Sequence, residues 1–209
     1  MSFLISKVEE QKKNTERFNI FTDDGFLTSL SIDAVIQYGI KEGTIIPEDK
    51  LDEIKKEDTV KYAKEKAMEY IAYSPRSGFQ VRQKLKQKGI DDDSIEETMK
   101  ALEYYHYVDD AEFVREFAKS YKGKLGRKAI VQKLKEKGVD AETIDDNLIL
   151  DEDEQRTVAK QTAENIVSKN RGLDQYKLKQ KIYQTLTRKG FSYDMISSVT
   201  EEILDENFF

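Results

Sequence analysis

Ten basic side chains carry the most specific chemical suggestion in this sequence. Arg76, Arg82, Lys84, Lys86, Lys122, Lys124, Arg127, Lys128, Lys133 and Lys135 fall in two bands, residues 76–88 and 115–137. The first band holds five basic residues and no acidic one, and the second nine basic and two acidic. Between and after them the sign reverses: residues 91–112 carry nine acidic residues and one lysine, and residues 140–154 eight acidic and no basic ones. A last band, 169–189, has seven basic and one acidic residue. A row of basic patches could track a phosphate backbone, because each neutralised phosphate releases condensed counterions. The acidic bands would then face a protein partner or water.

A blander cause competes with this one. Cations in the last turn of a helix and anions in the first turn of the next both suit the helix dipole, by about 0.3–1 kcal/mol each. Lys88, Lys137 and Lys189, each just before a glycine, need no ligand on that account, nor does the run from Asp91 to Asp93. The excess at Arg82, Lys84, Lys122, Lys124 and Arg127 is not explained so easily. In the last band Thr185 and Thr187 stand where the earlier copies have lysines, which predicts a weaker phosphate site there.

Catalytic chemistry finds little support. His106 is the only histidine, and it sits among Tyr104, Tyr105 and Tyr107. General acid–base work needs a positioned partner, and none is apparent. Gly123, Lys124, Gly126, Arg127 and Lys128 lack the spacing and the preceding strand of a phosphate-binding loop. The acidic run from Asp151 to Glu154 lacks the glycine and terminal glutamate of a calcium loop, so a solvated helix start is expected. The tyrosines could stack on bases of single-stranded nucleic acid. At helical spacing beside apolar neighbours they equally suit a core. With no cysteine, thiolate chemistry and disulfides are impossible. We expect no enzyme activity, no metal and no cofactor.

The elements that must position these charges follow from composition and period. The chain has 209 residues, 38% hydrophobic and 36% charged, with a net charge of -6. That balance suits a thin, elongated assembly of small modules better than one thick core. No apolar run approaches the roughly 18 residues of a membrane span. Met1 to Leu4 do not begin a secretory signal, so a cytoplasmic protein is expected.

Residues 1–57 differ from the rest. Two β-prone runs, 17–22 and 26–31, flank the turn Asp23, Asp24, Gly25, and 2–9 is a plausible third strand. A short helix over 31–38 is expected, capped by Ser31, and another opening near Pro47 and reaching about residue 57. Beyond this small antiparallel sheet the chain repeats. Val81, Leu85 and Gly89 correspond to Ile130, Leu134 and Gly138, and to Ile182, Leu186 and Gly190. The glycines are 49 and 52 residues apart, and an isoleucine follows each by six: Ile95, Ile144 and Ile196. Apolar residues at i and i+4 form one face of a helix, and glycine accepts the left-handed conformation that ends it. Each copy also has a helix before, about 59–73, 110–121 and 154–169, and one after. Ser77 to Gln80 fits a capping box, and Asp110 can cap the helix that buries Phe113. The expected fold is mainly α: three tandem three-helix repeats, 58–108, 109–152 and 153–209, behind the N-terminal region.

These residues together resemble the RecX family, the bacterial regulators of the RecA recombinase. The run from Tyr70 through Pro75 and Arg76 to Ser77 is similar to the start of that family's first repeat. Val81 to Ile90 resembles its leucine, lysine and glycine motif. Asp109 and Asp110 match its paired-aspartate start of the second repeat, and Arg188 to Asp194 its third-repeat motif. His106 stands where the family commonly has glycine. The resemblance implies tandem repeats in a curved, elongated molecule lying in the groove of the RecA–DNA filament and bridging neighbouring subunits. It implies inhibition of RecA ATP hydrolysis, strand exchange and co-protease activity, often by promoting filament disassembly.

Two functions from different classes remain open at this point. One is the filament modulator, with RecA and DNA as partners, the DNA contact weak and non-specific, acting as a monomer. The other is a tandem helix-turn-helix-like protein acting directly on DNA. Against the second, the third helices are acidic: Glu96, Glu97, Asp145 and Asp146 would be repelled by phosphate. An inert scaffold, binding neither, is the remaining possibility.

Overall fold

The computed structural model describes residues 1–12 and 14–208, with side chains for residues 1–12 and 15–205. It is mainly helical, with three three-helix repeats and a small antiparallel β region at the N-terminus. The chain divides into two compact units, residues 1–74 with 82–105, and residues 75–81 with 106–209.

In the first unit, β2 (Lys7–Gln11), β3 (Asn14–Thr22) and β4 (Gly25–Ser31) form an antiparallel meander. Gly25 has φ +117°, which only glycine adopts without strain, so the turn forms where Asp23 and Asp24 predict it. The expected single strand over 2–9 is instead two. β1 (Ser2–Leu4) pairs with β5 (Ile45–Pro47), and β2 with β3. The break has a cause: the Ile5 N–H donates to the Thr44 carbonyl and the Ser6 N–H to the Phe21 carbonyl, so the strand changes partner between them. Ser31 caps α1 (Ile32–Gln37), its side chain accepting from the Ala34 N–H, as expected.

The two helices expected over 47–57 and 59–73 are one, α2 (Glu48–Ala72). No glycine or proline interrupts it. Its first half closes a core of Ile5, Ile20, Leu30, Ala34, Ile40, Ile46, Leu51 and Ile54. Asp58 sits beyond that core with its side chain almost fully buried. It accepts from Arg17 Nη2 at 3.1 Å and from the Ser31 N–H at 3.2 Å. The second half of α2, with buried Ala63 and Ala67, belongs to the first repeat, whose other helices are α3 (Gly78–Gln87) and α4 (Asp92–Tyr104). Asp91 caps α4 by accepting from the Ser94 N–H, and Leu85, Ile95, Met99 and Leu102 are buried.

The second unit contains α5 (Asp110–Tyr121), α6 (Arg127–Glu136) and α7 (Ala141–Asn147) around Phe113, Val114, Phe117, Ile130, Leu134 and Ile144. It also contains α8 (Glu152–Ser168), α9 (Gln175–Lys189) and α10 (Tyr193–Phe208) around Ala159, Ala163, Leu178, Ile182, Leu186 and Ile196. Asp109, not Asp110, caps α5 through the Glu112 N–H. Asp110 is diverted: its carboxylate accepts from the Gly78 N–H at 2.8 Å and so helps to cap α3. The predicted capping box forms there too, with Gln80 N–H donating to Ser77 Oγ and Ser77 N–H to Gln80 Oε1.

The middle helices of this unit meet head to tail. The Gly126 and Lys128 N–H groups, at the start of α6, donate to the Lys189 and Gly190 carbonyls at the end of α9. Helix ends leave such amides and carbonyls without intrahelical partners, and here each end satisfies the other. The approach is so close that a Cβ on Gly190 would lie 2.2 Å from the Ala129 nitrogen. A similar joint recurs at the other end of α6, where Ser77 Oγ donates to the Lys137 carbonyl and Phe79 covers Gly138.

Candidate anion-binding surface

The ten basic residues singled out by the sequence separate into paired and unpaired groups. In the first unit Arg82 is held by two carboxylates, Nε to Glu96 at 2.9 Å and Nη2 to Glu103 at 3.2 Å. The bond to Glu96 leads the causes that raise its pKa further and lower that of Glu96. Lys86 pairs with Asp92 at 3.1 Å, and Lys84 Nζ lies 5.6 Å from the centre of the Tyr70 ring. In the second unit Arg76 is half-buried, with its Nε out of contact with solvent. Lys122 pairs with Glu154 at 2.8 Å. Arg127 donates to the Leu148 carbonyl at 2.8 Å and lies 3.7 Å from Asp145. An exposed ion pair is worth about 0–1 kcal/mol, so a phosphate could displace one, but these cations are not poised for it.

Lys124, Lys128, Lys133 and Lys135 are different. All four are exposed, and among the described residues none makes an ion pair. Lys128 and Lys135 lie two turns apart on one side of α6, and Lys133 falls roughly 140° round the axis. The free positive charge therefore wraps α6 rather than forming one flat patch.

Sequence reasoning passed over a third set. Lys169, Lys181 and Lys189, with Thr162, Asn165, Ile166 and Asn170, line an open cleft of about 530 Å³ in the third repeat. The signal was present in the seven-to-one ratio of basic to acidic residues over 169–189. The threonines at 185 and 187 weaken the middle helix alone, whereas Lys169 is the residue that follows the end of α8.

The tyrosines are resolved in part. Tyr70, Tyr121 and Tyr183 are half-buried, but Tyr73, Tyr104, Tyr105 and Tyr107 are exposed, against the core reading. Tyr104 and Tyr105 meet edge to face at 5.1 Å. His106 is exposed, 3.7 Å from Asp109, and has φ +56°. A left-handed backbone favours glycine, so a residue with a Cβ is strained at this position. Among the described residues no group of three or more His, Asp or Glu side chains is arranged to hold a metal, and no helix is long and apolar enough to cross a membrane.

Comparison with known proteins now fits this geometry. The profile of the regulatory protein RecX N-terminal domain matches residues 3–47. Those of the RecX first, second and third three-helix domains match residues 63–102, 109–148 and 152–200. A regulatory protein RecX of Bacillus licheniformis is 35% identical over 209 residues, covering 97% of this chain and 78% of that protein. One from Clostridium botulinum is 31% identical and covers 98% of both. A crystal structure of a regulatory protein RecX superposes with TM-score 0.70 at 26% identity, over 96% of this chain and all of the other. The structure of RecX from Lactobacillus salivarius gives 0.66 at 28% identity over 71% of this chain and 98% of the other. On this evidence of order, spacing and fold, the chain belongs to the RecX family of regulatory proteins.

Proposed function

We propose that this chain binds the RecA–DNA filament and restrains RecA, lowering its ATP hydrolysis, strand exchange and co-protease activity. It acts as a cytoplasmic monomer without catalysis of its own. One observation carries the reading: Lys124, Lys128, Lys133 and Lys135 stand unpaired around α6, while most other singled-out cations are engaged within the fold. Free lysines suit phosphate as compact point charges, and the carboxylate-rich segments suit a protein neighbour. A filament of protein on DNA offers both surfaces.

Direct reading of duplex DNA is less well supported. A recognition helix presents arginine or asparagine to base edges. Here α4 opens with Asp92 and Asp93, and α7 carries Glu142, Asp145 and Asp146. The test is RecA ATP hydrolysis on single-stranded DNA with and without the purified protein. Inhibition at less than one copy per RecA supports the proposal. An unaffected rate together with sequence-specific duplex binding refutes it.

A further inference from the structure

The cleft of the third repeat has a charge arrangement that the fold itself does not require. Lys169, Lys181 and Lys189 line it, and among the described residues no carboxylate does. Of the other cations in the repeat, Arg156 and Lys160 are held by Glu202 at 2.6 and 2.7 Å and Lys177 by Asp174 at 3.2 Å, while Arg171, Lys179 and Arg188 make no ion pair among the described residues but lie outside the cleft. The lysines of the cleft meet only neutral groups. Lys181 Nζ donates to Asn170 Oδ1 at 2.6 Å, and Lys189 Nζ to the Lys124 carbonyl at 2.9 Å. Each ammonium has three donors, so at most one is used in either case. Two of the neighbouring polar side chains are already engaged, Thr162 Oγ donating to the Val158 carbonyl and Asn170 Nδ2 to the Ile166 carbonyl, which leaves the Asn165 amide, among the described residues, as the one neutral polar side chain of the cleft still open to a ligand. What the cleft offers a ligand is therefore positive charge and spare N–H donors. Three like charges around one concavity cost stability unless something anionic visits it.

We infer that this cleft is a binding site for the phosphate groups of a nucleic-acid backbone. Lysines without arginine meet phosphate as point charges, with no demand for a bidentate geometry that successive phosphates of a flexible strand would have to match. Continuity favours a chain of phosphates over a single ion: Lys189 reaches from the cleft to the backbone of Lys124, whose own side chain is exposed and unpaired at the start of the α6 surface. Successive phosphates of one strand can thus be met by the cleft and then by α6. This deepens the proposed function by naming where DNA is touched, and it rests on that reading only for the filament context.

The test uses the full chain without RecA, so that its outcome is independent of the ATPase assay. Binding of a fluorescein-labelled oligothymidylate is followed by anisotropy from low to moderate salt. The variants are Lys169→Gln with Lys181→Gln, and the same pair with Lys189→Gln. The double variant spares Lys189, which also supports the joint between α9 and α6. A charge-matched control replaces Lys41, Lys64 and Lys100 with glutamine. The inference expects the triple variant to lose at least tenfold in affinity at low salt. It also expects the slope of log K against log salt to fall by about 2, at roughly 0.7 per lost contact. The double variant should lose about two thirds of that, and the control should keep the wild-type slope. Slopes for both cleft variants equal to that of the control would overturn it. So would a glutamate oligopeptide of equal charge that displaces the oligonucleotide as well as unlabelled oligothymidylate does.

Discussion

Gly190→Ala gives the sharpest test of the head-to-tail joint, because the same fold supplies its own control. Gly89 and Gly190 both end a middle helix with left-handed backbone, at φ +78° and +84°. An L side chain in that region costs about 1–2 kcal/mol. At Gly89 a Cβ would meet nothing within 4 Å, so Gly89→Ala should cost about 1 kcal/mol once the unfolded-state benefit of alanine is subtracted. At Gly190 the Cβ would fall 2.2 Å from the Ala129 nitrogen and 2.8 Å from its Cα, backbone atoms that cannot swing aside. The helices must separate, which adds roughly 1–3 kcal/mol for overpacking. It also weakens two backbone hydrogen bonds, each worth about 1 kcal/mol. Urea denaturation followed by circular dichroism should therefore show Gly190→Ala at least about 2 kcal/mol less stable than Gly89→Ala, given those added terms. Gly138→Ala should fall between them, because what it strikes first is the side chain of the exposed Phe79, its Cβ and ring, rather than a backbone atom. Equal losses at 89 and 190 would mean that the joint contributes nothing.

Other outcomes follow from single contacts. Asp58→Ala removes the buried acceptor of Arg17 and the Ser31 N–H; thermal melts should show a loss of about 3–5 kcal/mol, the usual cost of breaking a buried pair. His106→Gly relieves the φ +56° backbone and should raise the melting temperature by a few degrees; a lower one would show that the contact to Asp109 outweighs the strain. Stability should also depend on acid through the helix caps. Hydrogen bonds donated by the Ser94 N–H, the Thr143 hydroxyl and N–H, and the Lys177 N–H hold Asp91, Asp140 and Asp174 below the ordinary carboxylate range. A depressed folded-state pKa contributes stability above the unfolded value of about 3.9, and that stability is lost as pH falls below it. Urea midpoints should hold from neutrality to about pH 5 and then decline, and Asp140→Asn should flatten the decline. An unaltered acid limb in that variant would dissociate the cap from the pH dependence.

The parts of the fold that were legible in sequence share a local cause. The three glycines, the Ser31 cap and the Ser77 to Gln80 box depend on neighbours within four residues, and each forms where expected. The continuity of α2 was also available, since residues 48–74 contain neither glycine nor proline; the repeat period suggested a break that the helix does not need. What could not be read depends on distant partners. The division between β1 and β2 is set by Thr44 and Phe21, and the diversion of Asp110 by Gly78. The charge bands show the same limit. Their sign was plain, but which cations remain free depends on pairings such as Arg82 with Glu96 and Lys122 with Glu154, fixed only once the helices pack.

Salt dependence of binding to RecA assembled on single-stranded DNA tests the role of the free lysines most directly. Two variants are compared: glutamine at Lys124, Lys128, Lys133 and Lys135, and glutamine at the ion-paired Lys122 and Arg127. The first should reduce the slope of log K against log salt by about 3, at roughly 0.7 per lost contact, and the second by less than one unit. A full slope retained by the first variant, or a larger change in the second, would contradict the assignment of the unpaired lysines to phosphate.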